Sequence, residues 1–178
     1  MVPIELIDAA RSGGAAEIER LLEAAWPDAY RLARAILAHD QGADDVAQEA
    51  CVNTYRSIGT LRSSDAFRTW FYRIVLREAL KAKKHLATSM PLSGDAVYYD
   101  DPAAAIDLWR ALATLPEHLR AVVVLTYFED LSSREVGQIL RIPDATVRFR
   151  LMTAKRRLLP LLRENAPSDS SKGELYAL

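Results

Sequence analysis

Residues 131–159, LSSREVGQILRIPDATVRFRLMTAKRRLL, constrain this chain more than any other stretch. Ser132 followed by Glu135 is a capping box, in which the serine hydroxyl and the glutamate carboxylate satisfy each other's amide hydrogens and start a helix. Val136, Ile139 and Leu140 then recur at helical spacing. Pro143 donates no amide hydrogen and restrains the residue before it, so this helix ends between Arg141 and Asp144. A second helix begins near Asp144, whose carboxylate suits a helix N-terminus. Two helices across so short a turn form a helix-turn-helix, the arrangement that lays its second helix in the major groove of DNA.

The second helix sorts its residues by face. At about 100° per residue, Val147, Leu151, Ala154 and Leu158 share a stripe and are expected to pack inward. Thr146, Phe149, Arg150, Thr153, Arg156 and Arg157 are expected on the opposite side, with Arg148 and Lys155 on the flanks. Residues 145–163 hold six basic groups and no acidic one. A merely solvated helix is the plainer alternative, but solvated faces usually mix both signs.

The net charge of −1 conceals blocks of opposite sign. Residues 1–61 carry five basic against ten acidic groups, residues 62–85 seven against two, and residues 86–144 four against nine. Two basic blocks on an otherwise acidic chain point to two nucleic-acid contacts, with the acidic parts facing something else. With 178 residues, half of them apolar, the chain has material for one or two small domains with real cores. No apolar run is long enough to span a bilayer, and MVPIELIDAARSGG lacks the basic and apolar regions of a secretory signal. The single cysteine, Cys51, excludes an internal disulfide and reads as a small core residue, while His39, His85 and His118 show no metal-ligand spacing. The expectation is a cytoplasmic protein with no membrane insertion, no metal and no cofactor.

Alternating strand patterns and Asn-Gly or Asp-Gly hairpin signals are missing, so the chain is expected to be all-α. Helices are expected at 4–11, 15–25, 27–39 (with Pro27 in a first turn), 43–58, 65–86, 103–113, 117–129, 133–141 and 145–163. Residues 87–101, ATSMPLSGDAVYYDD, carry the clearest break and read as an interdomain linker. The polar end, APSDSSKGELYAL, reads as a mobile tail.

The other basic block lies on the predicted helix 65–86. Phe71, Tyr72, Val75, Ala79, Ala82 and Leu86 form its apolar face. Trp70, Arg73, Arg77, Lys81 and Lys84 form one stripe across from it, in which like charges a turn apart repel by about 0.2–0.5 kcal/mol per pair and only Glu78 stands near enough to relieve them. Cations that track phosphates beside a tryptophan that stacks on bases suit single-stranded nucleic acid, although a core tryptophan beside a solvated stripe would give the same pattern. The preceding helix has the opposite sign: Asp44, Asp45, Gln48 and Glu49 make an acidic face, solvated or a dock for a basic partner.

In order and spacing, DDVAQEA at 44–50, FRTWFYRIV at 67–75, LATLPEHLRAVVVLTYFEDLSSREVG at 112–137 and TVRFRL at 146–151 resemble a group IV (extracytoplasmic function, ECF) sigma-70 family RNA polymerase sigma factor. The resemblance implies two helical domains joined by a flexible linker. Its layout would be an N-terminal extension at 1–19, sigma region 2 at 20–86, a linker at 87–102, sigma region 4 at 103–163, and a tail at 164–178. It implies a non-enzymatic initiation factor of the bacterial cytoplasm, in a stress or envelope response. Asp44, Asp45, Gln48 and Glu49 would bind core RNA polymerase at the β′ clamp helices. Arg62, Arg68, Trp70, Arg73, Arg77, Lys81 and Lys84, with the loop 57–67, would hold the unpaired −10 strand of promoter DNA. The helix-turn-helix, through Thr146, Arg148, Phe149, Arg150, Thr153, Lys155, Arg156 and Arg157, would read the −35 element and meet the β flap. The linker would thread toward the polymerase active centre, and an anti-sigma factor would be the regulator.

Arg77 replaces a frequent Asn of that family, and Arg141 and Ala145 replace frequent glycines. Arg141 is therefore expected to adopt a left-handed conformation at a cost of about 1–2 kcal/mol, or to impose a different turn. Two other classes compete. A stand-alone helix-turn-helix regulator would bind a palindromic duplex as a dimer without polymerase. An enzyme with an all-helical pocket would need a nucleophile–base pair, metal cluster or phosphate loop, and the sequence offers none.

Overall fold

A computed structural model describes residues 2–38, 42–89 and 103–164. It runs α1 (Ile4–Arg11), α2 (Ala15–Leu37), α3 (Ala43–Ser57), α4 (Phe67–Ser89), α5 (Ala103–Ala113), α6 (Glu117–Val123), α7 (Ser133–Leu140) and α8 (Asp144–Glu164), with no strand among the described residues. Short 3₁₀ turns at Ile58–Thr60 and Ser64–Ala66 join α3 to α4. Of the predicted linker, residues 90–102 lie outside the described residues, as do His39 and the tail from residue 165.

Two expectations about helix ends are corrected. The separate helices predicted at 15–25 and 27–39 are one helix, α2, which runs straight through Pro27. Proline in a helix interior costs about 3 kcal/mol because a backbone bond is lost and its ring crowds the preceding turn. Here Pro27 and Glu23 both lie on the exposed side of the helix. Meanwhile Leu21, Ala25, Ala29, Leu32 and Ile36 bury one unbroken stripe across the proline. Each fully buried leucine or isoleucine contributes about 1.5–3 kcal/mol, enough for the stripe to win. The helix predicted at 117–129 instead changes after Val123 into a wider π turn, Val124–Phe128, where Glu129 N–H reaches the Val124 carbonyl at 3.2 Å.

The sequence-predicted cap holds in detail. Glu135 N–H donates to Ser132 Oγ at 3.3 Å, and Ser132 N–H donates to Glu135 Oε2 at 2.9 Å. These hydrogen bonds from Ser132 hold the Glu135 carboxyl below its usual range. Arg141 ends α7 in the left-handed conformation, φ 56° and ψ 45°, the first of the two outcomes expected where it replaces a frequent glycine. The close return of the chain also explains Gly137. A Cβ there would lie 2.7 Å from the Ile142 carbonyl oxygen, so no larger residue fits the turn as built.

Helices α1–α4 form one bundle and α5–α8 a second, and the two bundles pack against each other. The α1–α4 core residues Phe71, Tyr72 and Val75 belong to the same buried cluster as Val122, Leu125, Val136 and Ile139. A smaller cluster joins Ala35 of α2 to Leu112, Leu119, Val124, Ala154 and Leu158. In the N-terminal stretch, Ile7 and Ala10 of α1 are buried in the first bundle's core.

Candidate nucleic-acid interface

Helix α3 presents Asp44, Asp45, Gln48 and Glu49 on one exposed face while Ala43, Val46, Ala47 and Ala50 are buried beneath. The face is therefore set by helical periodicity: alanines let α3 lie close on its neighbours and leave the acids in water. Cys51 beside them is half-buried, and burial pushes its thiol up.

Helix α4 carries the opposite charge. Phe67, Phe71, Tyr72, Val75 and Ala79 are buried, and Ala82 packs against the same core. The side chain of Leu86 lies outside the described residues. Arg73, Arg77, Lys81 and Lys84 are exposed along one side, with Trp70 half-buried at its start. Glu78, although buried, turns its carboxylate to this stripe and meets Arg77 at 3.0 Å and Lys81 at 3.6 Å. Before α4, Arg62 stands exposed on the loop. Thr60, Arg62, Ser63, Asp65, Trp70 and Arg73 line a cleft of about 630 Å³, closed on its far side by Glu135 and Gln138 of α7.

In α8, Val147, Ala154 and Leu158 are buried, and Leu151 is half-buried between both clusters. Phe149 is 63% exposed, and Arg148, Lys155, Arg156 and Arg157 are exposed with it. Arg150 departs from its expected outward position: it is half-buried, because three residues past Val147 it falls about 60° from the inward stripe. Thr146 and Thr153 are half-buried too, the latter donating its hydroxyl to the Phe149 carbonyl at 3.0 Å. Arg148 pairs with Asp144 at 2.6 Å; that pairing and the Ala145 amide keep the Asp144 carboxyl below its usual range.

The packing of the two bundles brings together residues that sequence spacing does not connect. Arg73 of α4 donates from Nη2 to the Gln138 carbonyl of α7 at 2.8 Å. Arg68 donates to the Glu129 carbonyl. The Glu129 carboxylate is buried between the bundles, 2.8 Å from Arg31 Nε and hydrogen-bonded by the Tyr72 hydroxyl. Burial, then the Glu129 charge, pushes the Tyr72 phenol far up. Burial opposes the Arg31 charge, yet Glu129 and Asp28 outweigh it and raise the guanidinium. Arg120, also buried, donates to the Ala35 carbonyl of α2 and to the Ala113 and Leu115 carbonyls of its own bundle; burial lowers it. Arg34 of α2 lies 4.2 Å over the Trp109 ring. A second cleft, at the helix-turn-helix turn, is lined by Arg73, Arg134 and Arg141 from both bundles.

Residues 21–88 match the family sigma-70 region 2, and residues 105–158 match sigma-70 region 4. The RNA polymerase sigma-H factor of Pseudomonas aeruginosa is 34% identical over 154 residues, covering 71% of this chain and 78% of that protein. The chain belongs to the sigma-70 family. The ECF RNA polymerase sigma factor SigM of Mycobacterium tuberculosis is 31% identical over 165 residues, 89% of this chain and 83% of that one. The fold is also that of CnrH in complex with the cytosolic domain of CnrY, at TM-score 0.67, 22% identity, 92% of this chain and 98% of that chain. It is likewise that of the sigma factor RpoE of Bartonella quintana in complex with the anti-sigma factor NepR, at TM-score 0.70, 17% identity, 83% of this chain and 97% of that chain.

The protein is thus an ECF-type sigma factor that directs transcription, and not a stand-alone regulator. The region 2 match falls in the first bundle and the region 4 match in the second. Among the described residues no helix is long and apolar enough to cross a membrane. Sequence reading placed Tyr72 in the core but missed its hydroxyl's partner Glu129, and missed Arg31 and Gln138; the separations of 57 to 98 residues leave no local signal.

Proposed function

We propose that this sigma factor docks on core RNA polymerase through the acidic face of α3 and uses its two basic helices on two promoter elements. The observation that carries the reading is the separation of charge onto adjacent helices: four exposed acidic or amide side chains on α3, and exposed cations along α4. Asp44, Asp45, Gln48 and Glu49 meet the β′ clamp helices. Arg62, Arg68, Trp70, Arg73, Arg77, Lys81 and Lys84, with the cleft beneath the 57–67 loop, hold the unpaired −10 strand by phosphate contacts and stacking. In the −35 duplex, exposed Arg148, Phe149, Lys155, Arg156 and Arg157 enter or flank the major groove, with Thr146, Arg150 and Thr153 at its edge. The same domain meets the β flap, and the 87–102 linker runs toward the active centre. No residue acts chemically; the protein places DNA and polymerase relative to each other. It works where the polymerase is, in the bacterial cytoplasm. Two structures of the same fold hold partner polypeptides, one of them an anti-sigma factor, which supports a regulator of that class here.

The deciding experiment is transcription by purified core polymerase on a promoter library, with the wild-type chain and with the double reversal Asp45→Lys and Glu49→Lys. Both residues are exposed, so helical content stays near wild type while core binding and transcription fall together. Wild-type affinity for core in the double reversal sinks the docking assignment.

A further inference from the structure

We infer that α1 is a clamp that fixes the shape of the −10 loop, and that Arg11 is a positioning residue for −10 base preference. The inference rests on the loop's proposed role in holding the unpaired strand. The Arg11 guanidinium gathers four acceptors: Nε donates to the Leu61 carbonyl at 3.0 Å, Nη2 to the Arg62 carbonyl at 3.2 Å, and Nη1 to Ser64 Oγ at 3.1 Å and Asp8 Oδ1 at 3.0 Å. Ser64 Oγ in turn donates to Asp8 Oδ1, which closes a ring of three side chains. Ser64 is buried, and Ile7 and Ala10 anchor α1 in the domain core, so the clamp is fixed at its base. The loop carbonyls it holds belong to Leu61 and Arg62, two of the residues that line the cleft beside Trp70 and Arg73.

A surface pair such as Arg11–Asp8 alone has little worth. Here one planar cation ties two consecutive loop carbonyls and a buried hydroxyl at once, which fixes geometry as well as energy. Arg11 spends its donors on the protein and faces the back of the loop, so its effect on DNA passes through the position of Arg62 and its neighbours. Only a fork of several N–H groups does this. A lysine supplies the same charge from one point and cannot span the four acceptors.

The test uses the full chain in holoenzyme with core polymerase, on promoters randomised at the −10 positions and on a fluorescent single-stranded −10 oligonucleotide. The variants are Arg11→Ala, Arg11→Lys, Asp8→Ala and, as a loop reference, Arg62→Ala. Arg11→Ala is expected to flatten −10 base preference roughly threefold to tenfold, the scale of a partly lost charge-assisted hydrogen bond. Core affinity, −35 preference and helical content stay at wild type. Arg11→Lys fails to restore the preference, Asp8→Ala gives a weaker form of the same loss, and the double variant Asp8→Ala, Arg11→Ala is less than additive. Rescue by Arg11→Lys overturns the inference, because it makes the residue a source of charge for DNA. Parallel loss of core affinity overturns it too, because α1 then serves only folding. If Arg62→Ala shifts −10 preference while Arg11→Ala leaves it intact, the clamp alone fails. If neither variant shifts it, the reading of the loop fails as well.

Discussion

Gly137 does a job that an added methyl group would undo, and Ser132 one that loss of its hydroxyl would undo. A Cβ at position 137 would press the Ile142 carbonyl of the turn, a backbone atom that cannot rotate away. Gly137→Ala is therefore expected to destabilise the second bundle by about 1–3 kcal/mol despite alanine's better helix propensity, as denaturant unfolding would register. A stabilised variant would show that the turn yields. Ser132→Ala removes the cap and is expected to cost about 1 kcal/mol near neutral pH. The Glu135 carboxyl is held low by its bonds with Ser132, so the cap's stabilisation is full above the ordinary glutamate range and fades as pH falls through the lowered value. The gap between wild type and Ser132→Ala should accordingly narrow below about pH 4. A gap that widens in acid contradicts this. The capping box was legible because its cause lies within four residues, whereas the left-handed Arg141 was marked only by the resemblance, as one of two outcomes where a glycine is frequent. The clash behind Gly137 was not, since it depends on where the chain returns after the turn.

Helix α4 depends on its length as well as its charge. Arg73, Arg77, Lys81 and Lys84 stay exposed over more than two turns, and Glu78 partly neutralises only the middle of the row. Lys81→Ala is expected to slow open-complex formation on duplex promoters, because fewer cations hold the unpaired strand. A template already melted at −10 should recover part of the rate; equal defects on both templates would move the stripe's role to folding or core binding. The apolar and cationic faces of α4 followed from the period of 3.6 residues, as did the acidic face of α3. Continuity of α2 through Pro27 did not follow, because local propensity favours a break and the stripe from Leu21 to Ile36 overrides it. The π turn after α6 was equally hidden: its register places Glu129 against α2 and α4, a tertiary reason with no mark in the residues 124–128 themselves.

Across the described residues the two bundles are closed on each other, and the closure engages two residues proposed to hold the −10 strand: Arg68 and Arg73 are bonded to backbone carbonyls of the second bundle. Besides these arginine bonds, three contacts across it differ in magnitude. The exposed Lys83–Glu117 pair contributes at most about 1 kcal/mol. The shared apolar cluster of Tyr72, Val75, Val122, Leu125 and Val136 contributes most, but without direction. Glu129 supplies direction, with its side chain 2% exposed and bound by Arg31 and Tyr72. Breaking such a pair from the other side is the more damaging change. Arg31→Ala leaves a buried carboxylate without its cation, a loss of about 3–5 kcal/mol, whereas Glu129→Ala removes the charge itself, and Arg31 keeps Asp28 as a partner. With fluorophores placed on α3 and α8, the distance between domains should therefore widen most in Arg31→Ala, less in Glu129→Ala and hardly at all in Lys83→Ala. Both of the first two should bind a single-stranded −10 oligonucleotide better than wild type as free proteins, because Arg68 and Arg73 are released. Equal distances in all three would assign the closure to the apolar cluster alone, and Leu125→Ala would then be the variant that opens it.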